Sequence, residues 1–370
     1  MQALQPILGP HPTPIPATSL AQRHGRGRPL IVPIFLPHAG CPHRCLFCNQ
    51  SAVTGGEEGL PTPEGLRETV AGFLKRCRRR RPAQIAFFGG NFLGVAKEGI
   101  QTLLAEAAGC VRSGAVEGIR FSTRPDTVTT DRLALIEAYP VHTVELGAQS
   151  MCVEVLAQSQ RGHSAADTLT ACRMLRERGY AVGLQLMVGL PGDDEERLIK
   201  TGRRVVGLRP DFVRIYPTLV LAGSRLAAHY RRGIYSPLPL EAAVSLTLKL
   251  YRLFRAHGIP VIRMGLQASK EISPDASVLA GPYHPAFGHL VQCMAFLEAV
   301  RDALRSVDHL GAELSLRVHP KSIPRMRGLR NATIRALQRE YGFRRVQVCA
   351  EATLKEQEID VGGEARVSAW

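Results

Sequence analysis

The chain has 370 residues and a formal net charge of +15, with 47 Lys and Arg against 32 Asp and Glu. Hydrophobic residues make up 45% of the sequence and charged residues 21%, which is ordinary for a soluble globular protein. No apolar run approaches the ~20 residues that a membrane span requires, and the first residues lack the pattern of a secretory signal.

The first part of the chain contains a polar segment and then a repeated pattern. Residues 1–29 are basic and rich in Pro, and we expect them to be mostly disordered. From residue 30 to residue 216, short β-rich apolar runs alternate with helical patterns, as in parallel βα units. The predicted strands are 31–36, 84–88, 118–121, 143–147, 181–187 and 211–216. The predicted helices between them are 62–80, 96–108, 131–138, 164–178 and 194–207.

Six βα units are fewer than the eight of a closed TIM barrel. The sequence therefore predicts an α/β fold, a partial (β/α)6 TIM-like barrel over residues 30–216, with its chemistry at the carboxyl ends of the strands. Further elements are predicted at 241–257, 286–306, 313–318, 330–341 and 345–349. We assign residues 217–353 to a C-terminal α+β extension and residues 354–370 to a polar tail.

Three cysteines follow the first predicted strand at Cys-x3-Cys-x2-Cys spacing: Cys41, Cys45 and Cys48. A [4Fe–4S] cluster normally takes four Cys, so three leave one iron open to a chelating cofactor. A zinc site with His38 or His43 as fourth ligand is one alternative, and structural thiols are another. Zinc motifs usually contain a second ligand pair, which is missing here, so we predict the cluster. Nine cysteines without an export signal indicate a reducing cytoplasm.

Polar residues also occur at the ends of the later predicted strands, within otherwise apolar runs. Such residues need a hydrogen-bonding partner, which is either a network inside the barrel or a bound ligand. A pair of glycines at the end of the second strand lets the backbone approach a ligand closely. The candidate positions are Gly89, Gly90, Asn91, Ser122, Arg124, Gln149, Gln185 and Met187, with Arg161 in the SQRGHS segment.

The cysteine motif, with Phe47 before the third Cys, resembles the signature of the radical S-adenosylmethionine (SAM) superfamily. The resemblance implies that the open iron binds the amino and carboxylate groups of SAM. One electron, from a flavodoxin- or ferredoxin-like reductant, then cleaves SAM to a 5′-deoxyadenosyl radical. Gly89 and Gly90 resemble the Gly-Gly-Glu motif of that family, with Asn91 in place of Glu. The resemblance then implies that all nine candidate positions above contact SAM.

A longer set of motifs resembles the catalytic subunit of Elongator and its bacterial relatives, over roughly residues 30–350. These motifs are STRPD, VELGAQSM, QRGH, MVGLPGD, VRIYPTLVLAGSRLAAHYRRGIYSPL, GLQAS (265–269) and GPYHPAFGHLV (281–291). The resemblance implies modification of tRNA. The acetyltransferase domain of that subunit is not found in this sequence, so its acetyl-CoA chemistry is not expected to carry over. The alternatives are a small anionic metabolite, as in coproporphyrinogen oxidase-like enzymes, and a non-catalytic Fe–S protein that binds nucleic acid.

Two basic segments bear on the choice of substrate. Residues 75–81 contain six Lys or Arg, and residues 317–345 contain nine with a single acid. Together they predict a surface that follows the phosphates of tRNA, with Arg325, Arg327 and Arg330 among its contacts. A solvated helix end, where cations offset the helix dipole, is the alternative for 75–81. Because aromatic residues are sparse in both segments, they do not predict sequence-specific reading of a single strand.

Overall fold

The computed structural model describes residues 29–54, 59–76, 82–266, 276–305, 311–363 and 365–370. The expected disordered segment up to residue 28, residues 77–81 of the first basic segment, and residues 267–269 of the GLQAS motif lie outside these ranges. Within them, no helix combines the length and the apolar character needed to cross a bilayer.

The described ranges contain thirteen strands and twelve α-helices. The strands are β1 Leu30–Phe35, β2 Ala83–Phe88, β3 Gly118–Thr123, β4 Val141–Gln149, β5 Ala181–Val188, β6 Phe212–Pro217, β7 Val220–Leu221, β8 Val261–Met264, β9 Val278–Ala280, β10 Glu313–Val318, β11 Arg345–Ala350, β12 Glu358–Val361 and β13 Ala365–Ser368. The α-helices are α1 Gln50–Thr54, α2 Pro63–Arg76, α3 Lys97–Arg112, α4 Thr130–Ala134, α5 Val153–Gln158, α6 Ala165–Glu177, α7 Glu195–Leu208, α8 Arg225–Arg231, α9 Leu240–Ala256, α10 Phe287–Leu304, α11 Ile323–Arg327 and α12 Ala332–Tyr341.

Seven strands form one sheet in the order β1-β2-β3-β4-β5-β6-β8. The pairs from β1 to β5 are parallel, and so is the β6–β8 pair. The predicted partial TIM-like barrel is therefore confirmed. Strand β8 was not predicted, because four residues are too few to establish a periodic pattern.

The chain divides into two compact units. The first comprises residues up to Leu186 with Leu208–Phe212 and Gly223–Arg225, and the second comprises Met187–Gly207, Val213–Ala222 and Leu226–Trp370. The second unit begins earlier than the predicted border at 216–217. One reason is that α7 packs closely on α9: a Cβ at Gly202 would lie 2.7 Å from the Leu250 and Leu253 side chains.

A row of buried aromatic rings organises the first unit. Phe92 stacks on Phe87 of β2 and on Phe121 of β3, with ring centroids 4.9 and 4.5 Å apart. Phe92 opens a short 3-10 helix, Phe92–Gly94, directly after the Gly89–Asn91 turn. The stack therefore fixes that turn above the ends of β2 and β3.

The second unit contains a four-stranded sheet in the order β11-β10-β12-β13. The predicted polar tail is corrected here, because residues 358–361 and 365–368 are antiparallel strands of this sheet. Ile359, Val361 and Ala369 are buried in a core that helices α9 and α10 also line. Trp370 lies edge-on against the rings of Tyr251 and Phe296. Alternating apolar residues in this short segment were the available signal.

Candidate active site

The three cysteines lie on the loop between β1 and α1, residues 36–49, which we call the cysteine loop. Cys45 is buried, and Cys41 and Cys48 are half-buried. The loop turns through two left-handed residues, His38 (φ 56°) and Gly40 (φ 69°). A Cβ at Gly40 would lie 2.3 Å from the Asn91 carbonyl oxygen. Glycine is therefore required there, both for its conformation and for the close approach of two backbones.

The Gly89–Asn91 turn packs directly against the cysteine loop. The Asn91 backbone N–H donates to the Ala39 carbonyl (2.8 Å). A Cβ at Gly90 would lie 2.4 Å from the Leu36 carbonyl oxygen and 2.6 Å from that of Ala39. The predicted glycine pair thus allows the turn to lie backbone to backbone on the loop that carries the cysteines.

The Asn91 side chain connects the cysteine loop with the end of β3. It is fully buried, and its Nδ2 donates to the Gly40 carbonyl (2.8 Å). Its Oδ1 accepts hydrogen bonds from the Thr123 hydroxyl (2.7 Å), the Thr127 hydroxyl (2.9 Å) and the Arg124 backbone N–H (2.9 Å). The oxygen is fully used by protein donors. The residue that stands in place of Glu therefore also has a positioning role, and its expected contact with SAM stays a prediction.

Two buried guanidinium groups lie beside Cys45. Arg161 Nη1 is 3.1 Å from Cys45 Sγ, and its Nη2 donates to the Gly147 carbonyl (2.8 Å). Arg124 Nη1 is 4.0 Å from the same sulfur, while its Nε and Nη2 bind both carboxylate oxygens of Asp126. Both predicted arginines therefore reach the cysteine loop.

The three thiols influence one another electrostatically. Burial, followed by Cys45 and Cys41, raises the pKa of Cys48 to about 12. The pKa of Cys41 is raised by burial and by Cys45, while Arg161 and Arg124 act in the opposite direction. Cys41 and Cys48 therefore resist deprotonation unless a cation compensates their charge, which a bound metal centre would provide.

The donor atoms around the cysteine loop distinguish a four-iron cluster from a zinc site. In the described ranges no three His, Cys, Asp or Glu side chains are spaced for a single metal ion. A four-iron cluster does not require that spacing, because each thiolate ligates a different iron. His38 Nε2 accepts the Gln50 N–H (3.0 Å), and His43 Nε2 lies 3.1 Å from the Arg161 carbonyl oxygen. The donor set therefore fits a three-thiolate cluster better than a zinc site.

The ends of β4 and β5 bring further predicted residues together. Gln149 lies in the left-handed region (φ 65°), where the pairing of β4 with β5 shifts register. Its Oε1 accepts a hydrogen bond from Gln185 Nε2 (3.3 Å). A Cβ at Gly147 would lie 2.8 Å from Arg161 Nη2 and 2.9 Å from Gln149 Nε2. A strained non-glycine residue in a polar cluster is typical of a functional site.

The remaining predicted residues are less connected. Ser122 is half-buried on β3, in register with Glu145 of β4. Met187 lies two positions beyond Gln185 on β5, half-buried like it, and belongs to the second unit. Glu145 forms a buried ion pair with Arg120 (2.6 Å), whose guanidinium lies over the Phe212 ring. Arg120 was not predicted, since its partner is 25 residues away.

His163 was also missed, although it follows Arg161 in the QRGH motif. It is buried, and neither ring nitrogen makes a well-formed hydrogen bond to a described residue, although the Ala148 backbone lies near the ring. Burial, with Arg161 and Arg124, lowers its pKa to about 3. A neutral imidazole therefore lies close to the arginines of the site. The motif itself was the available signal.

The fold and the cysteine site agree with the comparison against protein families. Residues 35–205 match the radical SAM superfamily and residues 210–297 match the radical SAM C-terminal domain. The chain belongs to the radical SAM superfamily and is an enzyme of that class.

Its relatives include proteins of the Elongator type. It is 35% identical over 129 residues to the tRNA uridine(34) acetyltransferase of Methanocaldococcus jannaschii, covering 34% of this chain and 24% of that protein. It is 25% identical over 278 residues to the protein of the same name from Dehalococcoides mccartyi, covering 62% and 59%. The chain thus spans about a quarter of the archaeal protein and under two thirds of the bacterial one.

A shorter relative and a solved structure complete the comparison. The chain is 28% identical over 219 residues to Escherichia coli protein YhcC, covering 55% of this chain and 69% of that protein. Its fold is similar to that of Methanocaldococcus infernus Elp3 with an N-terminal deletion, with a TM-score of 0.58 and 21% identity. That match covers 75% of this chain and 63% of the other. The chain therefore shares the fold of an archaeal Elongator protein.

Proposed function

We propose that this protein binds a [4Fe–4S] cluster through Cys41, Cys45 and Cys48 and SAM at the open iron, and that it modifies tRNA. The observation that supports the cofactor assignment is the group of three thiols on the cysteine loop, where Cys45 and Cys41 raise the pKa of Cys48 and Arg161 Nη1 lies 3.1 Å from Cys45 Sγ. The tRNA assignment is supported by relatives named for tRNA uridine modification and by the net charge of +15.

The cluster and SAM, when bound, supply the radical chemistry, and the chain supplies their position and surroundings. Arg161 and Arg124 reduce the negative charge that accumulates on three thiolates. Asn91 holds the cysteine loop at the strand ends through its bond to the Gly40 carbonyl. The proposed SAM contacts are Gly89, Gly90, Asn91, Ser122, Gln149, Gln185 and Met187, together with Arg124 and Arg161, which lie beside Cys45 Sγ. A flavodoxin- or ferredoxin-like protein supplies the electron.

The basic segment 317–345 is proposed to contact tRNA phosphates. Fewer of its arginines are free to do so than the sequence indicated. Arg325 is half-buried, lies 3.4 Å from Glu356 and stacks over the Trp370 ring at 6.0 Å. It is therefore part of the second unit's packing. Arg327 and Arg330 are exposed. Arg330 and Asn331 are both left-handed (φ 51° and 61°), a strained pair of a kind often found at functional sites.

Anaerobic reconstitution tests the cofactor assignment. The protein should bind about four irons per chain and cleave SAM when a reductant is added. Stoichiometric zinc without an iron chromophore would contradict it. For the substrate, affinity for bulk tRNA should fall steeply with salt, and deletion of the gene should remove a tRNA modification. Binding no tighter than to an arbitrary polyanion, with an unchanged modification profile, would rule out tRNA.

A further inference from the structure

The end of helix α8 is an ordered turn in the second unit. Ile234 N–H donates to the His229 carbonyl (2.9 Å) and Gly233 N–H to the Tyr230 carbonyl (3.0 Å). With Gly233 left-handed (φ 70°), these two bonds form a Schellman motif, which closes a helix rigidly. No other atom lies within 4 Å of a Cβ built at Gly233, so glycine is needed there for its conformation alone.

The residues that follow attach this turn to the loop after β5. Tyr235 is buried, and its hydroxyl donates to the Gly189 carbonyl (2.7 Å). Leu238 packs against the same glycine, where a Cβ would lie 2.6 Å from its side chain. Both contacts lie within the second unit and hold the turn against Gly189, the residue that follows β5.

The surface of this turn combines aromatic, apolar and cationic side chains. Tyr230 is 39% exposed and Ile234 is 57% exposed. Arg231 and Arg232, which lie between them in sequence, are exposed as well. Residues 226–240 contain no Asp or Glu. We call residues 230–234 the Tyr230 turn.

The stability of the helix end accounts for only part of this combination. Cations at a helix C-terminus offset the dipole, which explains the two arginines. The dipole gives no reason to expose a tyrosine and an isoleucine beside them. An exposed ring flanked by guanidinium groups matches single-stranded RNA, whose bases stack on aromatic rings and whose phosphates pair with arginine.

We propose that the Tyr230 turn binds an unpaired stretch of RNA, with Tyr230 stacked on a base and Arg231 and Arg232 paired with flanking phosphates. This inference rests on the proposed function, since it assigns the unpaired part of the same RNA substrate. It differs from the proposed role of segment 317–345, which contacts phosphates without stacking a base.

The stacking contact is tested with Tyr230→Ala and its control Tyr230→Phe, using a stem–loop RNA with an unpaired loop and a fully paired two-stranded RNA duplex of equal length. Tyr230→Ala should weaken stem–loop binding about tenfold, as for the loss of one base stack, with little effect on binding of the duplex. Tyr230→Phe should bind like the unaltered protein, since it keeps the ring. Equal loss for both RNAs, or no loss, would overturn the stacking contact.

The phosphate contacts are tested with Arg231→Glu and with Arg173→Glu, which makes the same charge change on an exposed helical arginine elsewhere. Arg231→Glu should weaken stem–loop binding and flatten its salt dependence, while Arg173→Glu should change neither. If the unaltered protein binds bulk tRNA but all Tyr230-turn variants bind equally well, this inference fails and the proposed function stands. If the unaltered protein binds no RNA, the tRNA assignment fails first. Displacement of the RNA by polyglutamate at equal charge would assign the turn to an acidic protein and overturn the proposal.

Discussion

Beside the cysteine loop, polar side chains are buried and bind the backbones of other elements, whereas on the four-stranded sheet of the second unit they lie on an exposed face. Asn91 and Arg161 show the first arrangement, with hydrogen bonds to the Gly40 and Gly147 carbonyls. Strand β10 shows the second, since its residues alternate between exposed and buried from Glu313 to Val318. Polar residues inside the barrel fix the position of the cysteine loop, and those on the sheet are hydrated by solvent.

This difference predicts how each region responds to substitution. A buried polar group that loses its partner costs much more than an exposed one, because it cannot exchange that partner for water. Changes at the cysteine loop should therefore affect iron binding and stability together. Changes in the four-stranded sheet should affect stability without affecting iron binding.

The largest effect is expected for Cys45→Ala. Cys45 is the buried member of the set and the one contacted by Arg161. Its removal should eliminate iron incorporation and SAM cleavage together, measured by iron analysis and by release of 5′-deoxyadenosine. Cys110→Ala is the control, because Cys110 lies on α3 outside the cysteine loop and should leave the iron content unchanged. Retention of iron by Cys45→Ala would contradict the assigned ligand set.

Gly40→Ala and Gly342→Ala compare a crowded left-handed glycine with one in open space. At Gly40 a methyl group would lie 2.3–2.6 Å from backbone atoms of Asn91, Val95 and Gly94, which cannot rotate away. We expect a loss of about 3 kcal/mol or more in the free energy of unfolding, together with poor iron incorporation. Gly342, with φ 73° and open space around it, is the control, and Gly342→Ala should cost about 1–2 kcal/mol for its conformation alone. Equal losses in chemical denaturation would show that the packing at Gly40 is loose.

The barrel was predictable because buried parallel strands produce apolar runs separated by helical patterns. Strand β10 was predicted at its exact bounds from its alternating pattern. Strand β4 extends to Gln149, beyond the predicted residue 147, because a left-handed residue and a register shift carry the pairing further. Neither feature has a distinct sequence pattern.

The site was less predictable than the fold. The spacing of Cys41, Cys45 and Cys48 is local, so the sequence indicated it directly. The role of Asn91 depends on Thr123, 32 residues away, and that of Arg161 on Cys45, 116 residues away. Such partners are known only once the strand ends meet. Local patterns therefore indicated which residues matter, while their contacts required the structure.

Ile359→Ala tests the corrected C-terminal segment. Ile359 on β12 is fully buried among residues of α9, α10 and β10. Removing its side chain should lower the free energy of unfolding by about 2–4 kcal/mol, and Ile359→Val by about 1 kcal/mol. Iron content per folded chain should stay unchanged, in contrast to Gly40→Ala. If the free energy of unfolding falls by less than about 0.5 kcal/mol, residues 354–370 behave as the polar tail that the sequence predicted.

The smallest effect is expected for the ion pair between Arg317 and Asp360 on the exposed face of the sheet. Their closest atoms are 3.2 Å apart, and the side chains are 46% and 17% exposed. A double-mutant cycle should give a coupling of about 0.2–1 kcal/mol that decreases with added salt. The buried pair of Arg120 with Glu145 provides the contrast, since removing one partner should cost about 3–5 kcal/mol. A coupling of about 3–5 kcal/mol between Arg317 and Asp360, unaffected by added salt, would mean that this face of the sheet is shielded from water. The contrast between the two regions would then fail.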